Sequence, residues 1–341
     1  MGKEITIYDI ARELQLSATT VSRGLKNNKV VTKSTTKRIV EKADEMGYRH
    51  NSFASNLRKQ KSNTIGIVLH EMNSTFITSV LAGIEQVTTE AGYDIIITHS
   101  GEDYQKEVAN VLNLYNKRVD GVIASLSFTT KNLDHFNVFA HKKIPVIFFD
   151  RVDETSDNTN VIIDNYACGK IATSHLIEQG CQRIAMLTSN LKRNVYFQRH
   201  KGYADALKAA GLAYDEELVM IEDLSEESAV LAAHRILKMS PLPDGLFVTN
   251  DFDAAVCMQE LKHHGIQVPK DIAIVGFNND AISKLVEPQL TTINYPGKDM
   301  GEITARNLIN HLSGLGNIAK TKTINIKSEL IVRASSLRKE M

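Results

Sequence analysis

Thr6-Ile-Tyr-Asp-Ile-Ala-Arg12, Leu16-Ser-Ala-Thr-Thr-Val-Ser-Arg23 and Thr32-Lys-Ser-Thr-Thr-Lys-Arg38, closed by Gly47-Tyr48, place three helix starts and a helix stop within residues 1–50. Thr6 followed by Asp9 has the form of a capping box, and Ile7, Ile10, Ala11 and Leu14 then recur on one helical face. Gln15 and Leu16 interrupt that helix. Ser17 caps a second one, in which Val21 and Leu25 point inward at i, i+4 spacing. A third begins near Thr32, carries Ile39, Val40, Ala43 and Met46 on one face, and stops at Gly47, the residue type suited to the left-handed position after a helix. The expected unit is a three-helix bundle too small to be an enzyme. The outward side of its second helix reads Ala18, Thr19, Ser22, Arg23 and Lys26. Small hydroxyl side chains at a helix start can approach base edges, and an arginine can fork onto guanine, when such a helix lies in a major groove.

Charge agrees with that reading. The 341-residue chain is neutral, but residues 1–62 carry 13 Lys and Arg against 6 Asp and Glu, a net of +7, leaving −7 on the remainder. One end is built for a polyanion. The composition, 43% hydrophobic and 23% charged, is that of a soluble globular protein of more than one domain. No apolar run reaches the roughly 20 residues of a spanning helix. Met1-Gly-Lys-Glu-Ile-Thr6 lacks the apolar core of a secretory signal, so no membrane association and a cytoplasmic location are expected. Cys168, Cys181 and Cys257 are odd in number, widely spaced and without a CxxC pair, which reads as three small buried residues rather than disulfides or a zinc site.

From Thr64 the texture changes to short apolar runs alternating with helix-length stretches: Ile65–Leu69, Tyr93–Ile97, Gly121–Ala124, Pro145–Phe149, Val161–Ile163, Arg183–Leu187, Gly245–Val248 and Ile272–Val275. Repeated βα units mean parallel sheets covered on both faces, and so many of them predict two doubly wound lobes. Ligands of such folds sit beyond the carboxyl ends of the strands. Asp150-Arg151, Asp164-Asn165, Asn250-Asp251 and Asn278-Asn279-Asp280 stand at those ends, and Arg199 joins them from a helix start. Carboxylate, amide and guanidinium groups together suit a polyhydroxylated ligand.

The N-terminal motifs resemble the headpiece of the lactose/galactose repressor (LacI/GalR) family. Asn51-Ser-Phe-Ala-Ser-Asn-Leu57-Arg58, leading to Ser62-Asn-Thr-Ile-Gly66, is similar to that family's hinge helix and its junction with the effector domain. The resemblance implies a helix-turn-helix headpiece over residues 1–50, a hinge over 51–63, and a periplasmic-binding-protein-like α/β domain over 64–341. Within that domain it implies an N-lobe of about 64–162 and 294–325 and a C-lobe of about 163–293 and 326–341. It assigns base reading to Ala18, Thr19 and Arg23, phosphate positioning to Ser17, Thr20, Ser22, Thr32 and Thr35, and minor-groove insertion to Leu57. Ile7, Lys26, Tyr48, Asn51 and Ala54 complete the implied DNA-contacting set. An inserted leucine unstacks a base step, so deformability is read as well as sequence. Ser55 stands where the hinge often carries Arg.

For the effector the family pattern places a sugar against residues matching Asp150, Arg199, Asn250 and Asn278; in place of the Trp that several members use, Phe76 and Tyr295 are the expected aromatic surface of this chain. Asn278 replaces an Asp common in the family, and Leu224 stands where several members stack a sugar on Trp. A sugar, a sugar derivative or a phosphorylated metabolite all fit, a purine less well. The implied protein is a homodimeric regulator of transcription, repressor before activator, that binds a palindromic operator and is modulated by a small-molecule effector. The rival is a cytoplasmic sugar-binding or sensing protein of the same fold. An enzyme is not expected: the sequence has no Gly-rich dinucleotide loop, GxSxG elbow or HExxH. No cofactor or metal is expected, and His263-His264, pointing about 100° apart on a helix, reads as a solvated face.

Overall fold

The computed structural model describes residues 5–48 and 61–338. The chain divides into two units, residues 1–62 and 63–341.

In the first unit, helices α1 (Ile7–Leu14), α2 (Ala18–Leu25) and α3 (Lys33–Glu45) follow one another through tight turns. Asp9 accepts from the Thr6 amide at 2.9 Å and from its hydroxyl at 2.7 Å, anchoring the start of α1. Ser17 accepts from the Thr20 amide at 3.1 Å, and Thr32 from the Thr35 amide at 3.3 Å. These oxygens satisfy donors that the first turn of a helix leaves unpaired. At the far end of α3, Gly47 takes φ +68° while the Tyr48 amide donates to Ala43 and the Gly47 amide to Asp44. That pair of bonds is the six-to-one and five-to-two closure for which glycine is suited. Ile10, Ala11, Val21, Ile39 and Ala43 form the core. Val40, expected on the inner face of α3, is 41% exposed: one residue on from Ile39 is a 100° turn, which carries it off the buried stripe.

The second unit runs β1 (Thr64–Leu69), α4 (Thr75–Glu90), β2 (Asp94–His99), α5 (Tyr104–Asn116), β3 (Gly121–Ala124), α6 (Asn137–Ala140), β4 (Val146–Phe149) and β5 (Thr159–Ile163). It continues through α7 (Asn165–Glu178), β6 (Ile184–Thr188), α8 (Asn194–Ala209), β7 (Val219–Ile221), α9 (Glu226–Leu237), β8 (Gly245–Val248), α10 (Asp251–His263) and β9 (Ala273–Asn278). Last come α11 (Ile282–Leu285), β10 (Thr291–Asn294), α12 (Gly297–Leu312), β11 (Thr323–Ile326) and β12 (Leu330–Ile331). Two six-stranded sheets result, ordered β11-β5-β4-β3-β1-β2 and β12-β10-β9-β8-β6-β7. All pairings are parallel except that of β12 with β10. Parallel strands need a covering layer on each face, which explains why β3, β5, β6 and β8 are buried along their whole length. The chain passes between the sheets after β5, after β10 and after β11.

Each lobe is closed by one tightly packed helix pair, α4 with α12 and α7 with α8. Both pairs meet at reciprocal glycines. A Cβ on Gly301 would lie 2.0 Å from the Val80 carbonyl oxygen, and one on Gly83 2.2 Å from that of Lys298. In the other pair, Gly169 and Gly202 would each meet a carbonyl oxygen at 2.2 Å, of Arg199 and Tyr166 respectively. Only the missing side chains let the backbones come so close, and the approach draws Phe76 on α4 toward Tyr295 before α12, and Asn165 on α7 toward Arg199 on α8. The three cysteines are buried, and burial pushes the Cys168 and Cys181 thiols up, to about 11 and about 12. Among the described residues no helix is long and apolar enough to cross a membrane.

Candidate nucleic-acid interface and ligand cluster

The face of α2 opposite the core carries Thr19, Arg23 and Lys26, all exposed, with Ser22 half-buried beside them. Gly24 fixes this orientation, because its bare backbone abuts Ile39 on α3, where a Cβ would come within 2.5 Å of the isoleucine tip. The capping oxygens of Ser17 and Thr32 are exposed at the starts of α2 and α3 and also touch the Thr20 and Thr35 hydroxyls, at 2.8 Å and 2.9 Å. Amide-lined helix starts with exposed hydroxyls are suited to phosphate oxygens. Ile7, Ala18 and Tyr48 sit differently: each packs against the headpiece core and offers only part of its surface. Asn51, Ala54 and Leu57, with the expected hinge helix, lie outside the described residues.

In the α/β unit, four of the six expected ligand residues form one buried cluster. Asp150 follows β4 with a left-handed φ of +57°, and its carboxylate accepts from the Tyr295 hydroxyl. The Tyr295 ring stacks on Phe76 at 4.1 Å and 21°, and meets Phe277 edge-on at 5.7 Å. Arg199 lies over the Phe277 face, 3.6 Å from its centroid, with the Tyr295 ring at 5.3 Å. Its Nε donates to Asn165 Oδ1 at 2.9 Å and its Nη1 to the Thr249 carbonyl at 3.2 Å. Burial first, and then the Asp150 charge, pushes the Tyr295 phenol well above its ordinary value, so it remains a neutral donor.

Asn250 and Asn278 are engaged locally instead. Asn250 caps α10, accepting from the Phe252 amide at 2.7 Å, and Asn278 donates to Asp280 at 3.3 Å. Both stay close through backbone, since Thr249 accepts from Arg199 and the Tyr295 amide donates to the Asn278 carbonyl. Leu224, with φ +58°, packs against the C-lobe core.

The sequence reading missed part of the site. Tyr196 and Phe277 frame Arg199. Arg151, next to Asp150 at the end of β4, donates to Glu102 at 2.5 Å and to the Tyr196 hydroxyl at 3.3 Å, and stacks on Phe128 at 4.1 Å. Burial alone would lower its pKa, but Tyr196, Glu102, Asp150 and Glu71 outweigh that and raise it. An aromatic residue in an apolar run reads as core, and nothing local distinguishes one that frames a cation. A cavity of about 380 Å³ lies alongside, lined from one lobe by Thr130, Leu133 and Val152 and from the other by Arg193, Asn194 and Phe197. Asn194 joins it to the cluster by donating to the Asp150 carbonyl at 3.0 Å. None of the six expected ligand residues lines it.

Residues 6–51 match the pattern described as bacterial regulatory proteins, lacI family, and residues 173–336 that of a periplasmic binding protein-like domain. The chain is 31% identical over 297 residues to the HTH-type transcriptional repressor PurR of Vibrio atlanticus (strain LGP32), covering 87% of this chain and 89% of that one. A complex of the transcriptional regulator CelR with cellobiose has a TM-score of 0.73 at 26% identity, over 97% of this chain and 100% of that one. The Lac repressor dimer bound to operator and the anti-inducer ONPF has a TM-score of 0.87 over 98% of this chain and 100% of that one, and its 23% identity makes this a likeness of fold.

Proposed function

The chain belongs to the lacI family of bacterial regulatory proteins, and we propose that it is a cytoplasmic repressor that binds a palindromic operator as a homodimer and changes its hold when a sugar or sugar derivative enters the α/β unit. The family is one of DNA-binding regulators rather than enzymes.

On the DNA side, Thr19 and Arg23 read base edges, Ala18 adds its half-exposed methyl, and the hydroxyls of Ser17, Thr20, Ser22, Thr32 and Thr35 position phosphates. Each three-helix unit offers one recognition helix, so a palindrome needs two chains. The net +7 of residues 1–62 supplies the non-specific attraction that such proteins use to find a site. Asn51, Ala54 and Leu57 extend the contact into the minor groove in this reading.

The observation that carries the effector half is the Asp150, Tyr295, Arg199, Phe76 and Phe277 cluster. A carboxylate, a guanidinium and three aromatic faces, brought together from strand ends and helix starts, are the donor, acceptor and stacking set of a carbohydrate site. Vicinal hydroxyls would compete with the Tyr295 phenol for Asp150 and with the Thr249 carbonyl for Arg199, while a sugar face would take the place of one ring on another. A ligand that replaces these internal contacts prefers one arrangement of the lobes, and coupling to operator binding is then reciprocal.

The test is selection of genomic fragments by the full-length protein with and without a panel of sugars. Recovery of inverted half-sites, with one sugar changing retention by at least about fivefold, supports the reading. An asymmetric single site, or indifference to every sugar, contradicts the homodimer and the effector class respectively.

A further inference from the structure

Helices α9 and α10 end side by side in the C-lobe, and three side chains meet there. His234, in the last turn of α9, places Nε2 2.8 Å from Glu260 Oε1 in the last turn of α10. His264, which caps α10, brings Nδ1 to 3.5 Å from the same oxygen. One ligand atom from each of the three lies within 4.8 Å of the others, and the two imidazoles stand edge to face at 5.5 Å. His263, by contrast, approaches only the other carboxylate oxygen, at 3.8 Å, and turns its Nε2 to Gln259. The adjacent pair does diverge, as its helical spacing predicts; the convergent pair is His264 with a histidine from the neighbouring helix.

Electrostatics make this corner unusual. A carboxylate in a last helical turn faces the negative end of the helix dipole, an unfavourable position without a cation. Two such helix ends converge on Glu260. The lysine and arginine nearby are turned elsewhere, Lys262 donating to the Glu287 carbonyl and Arg235 to that of Glu217, so it is imidazoles that face the carboxylate. Two imidazoles and one carboxylate, half-exposed so that water can complete the shell, are a ligand set that suits zinc at nitrogen and oxygen distances of about 2.0–2.2 Å. Tetrahedral coordination separates ligand atoms by about 3.3–3.5 Å, so His264 Nδ1 stands at the right separation from Oε1 and has to exchange its 3.0 Å hydrogen bond with the Glu260 carbonyl for the metal, while His234 must retreat by about half an ångström, within the reach of a surface side chain. We propose that His234, Glu260 and His264 form a zinc site that ties α9 to α10 at their C-terminal ends.

The test uses the full-length, tag-free protein stripped with chelator and titrated with zinc chloride by calorimetry. One zinc per chain is expected at this site, bound about tenfold or more weakly by each of His234→Ala, His264→Ala and Glu260→Gln, while His263→Ala binds as the parent does. Far-ultraviolet circular dichroism confirms that each variant is folded. Zinc at about a hundred times its dissociation constant should raise the melting temperature of the protein by roughly 5 °C, and that shift should vanish in the same three variants. Absence of binding, equal binding in all the variants, or dependence on His263 in place of His264 overturns the assignment.

Discussion

Asp253 is the third residue of α10, is fully buried, and among the described residues no other residue hydrogen-bonds to its carboxylate, leaving its own backbone amide as the one group that favours the charged form. Burial first, with a contribution from the Asp223 charge, raises its pKa from 3.8 to about 7. The folded state therefore holds this proton more tightly than the unfolded chain does. Stability is unaffected below pH 3.8, falls as pH rises toward 7 because folding must take up a proton, and stays reduced above it. At about 1.4 kcal/mol per pH unit, the loss is about 1.6 kcal/mol at pH 5 and levels off near 4 kcal/mol above pH 7, as a ceiling that any hydration of the site reduces. Asp253→Asn keeps the size of the side chain and removes the titration. It should be more stable than the parent at pH 8, and its advantage should widen by about 2–3 kcal/mol between pH 5 and pH 8. Urea titrations followed by circular dichroism at both pH values measure this, and subtracting variant from parent cancels the other titrating groups. Asp251, raised to about 7 as well, is partnered by the Thr292 hydroxyl and the Asp280 amide and remains in both proteins. A gap that stays constant with pH would mean that Asp253 is ionised and solvated in the folded protein, and the reasoning from burial would be wrong.

Gly301→Ala should cost more than the roughly 1–3 kcal/mol of ordinary overpacking, because the obstruction is the Val80 backbone and not a rotatable side chain; thermal unfolding reads it, and a melting point unchanged from the parent would contradict the close helix contact. Thr19→Ala and Arg23→Ala should each weaken binding to the selected operator by about 1–3 kcal/mol and relax base preference, as measured by binding to a set of single-base operator variants. A uniform loss across all those variants would assign these residues to phosphate contact instead. Arg199→Ala should abolish the effector response while operator binding persists, at a stability loss of about 1–3 kcal/mol for each of the Asn165 and Thr249 acceptors left without a donor. Arg199→Lys should restore little, since one ammonium cannot reproduce two directed bonds and a stacked plane; a full response in Arg199→Ala would exclude Arg199 from the effector site, and one in Arg199→Lys would refute the need for the fork.

The headpiece was legible because each of its signals is local. Thr6 with Asp9, Ser17, Thr32 and Gly47 act on backbone groups within about a turn, so sequence order and spatial order coincide; Val40, read on the inner face, is exposed, and Ala18, read on the outer face, packs against the core. The buried strands were legible from their continuous apolar runs. β7, β10, β11 and β12 were not: Val219–Ile221 and Leu330–Ile331 are too short, while Thr291-Thr-Ile-Asn294 and Thr323-Ile-Asn-Ile326 mix polar residues into the run. In β10 the polar residues are explained by partners far along the chain. Thr292 is buried because it donates to Asp251 at 2.6 Å, and Thr291 because it bonds to Arg333 and Ser336.

Distance along the chain limits the ligand cluster in the same way. Asp150 and Arg199 could be named from strand ends and a helix start, but what turns them into a site is Tyr295, 145 residues from Asp150, and Phe277, whose position in an apolar strand makes it look like any core residue. His234 and Glu260 carried no sequence signal until α9 lay against α10. A polar residue whose partner is within a turn announces its role in the sequence. One whose partner lies across the lobe announces only that it is polar, and there the fold supplies the missing half of the pair.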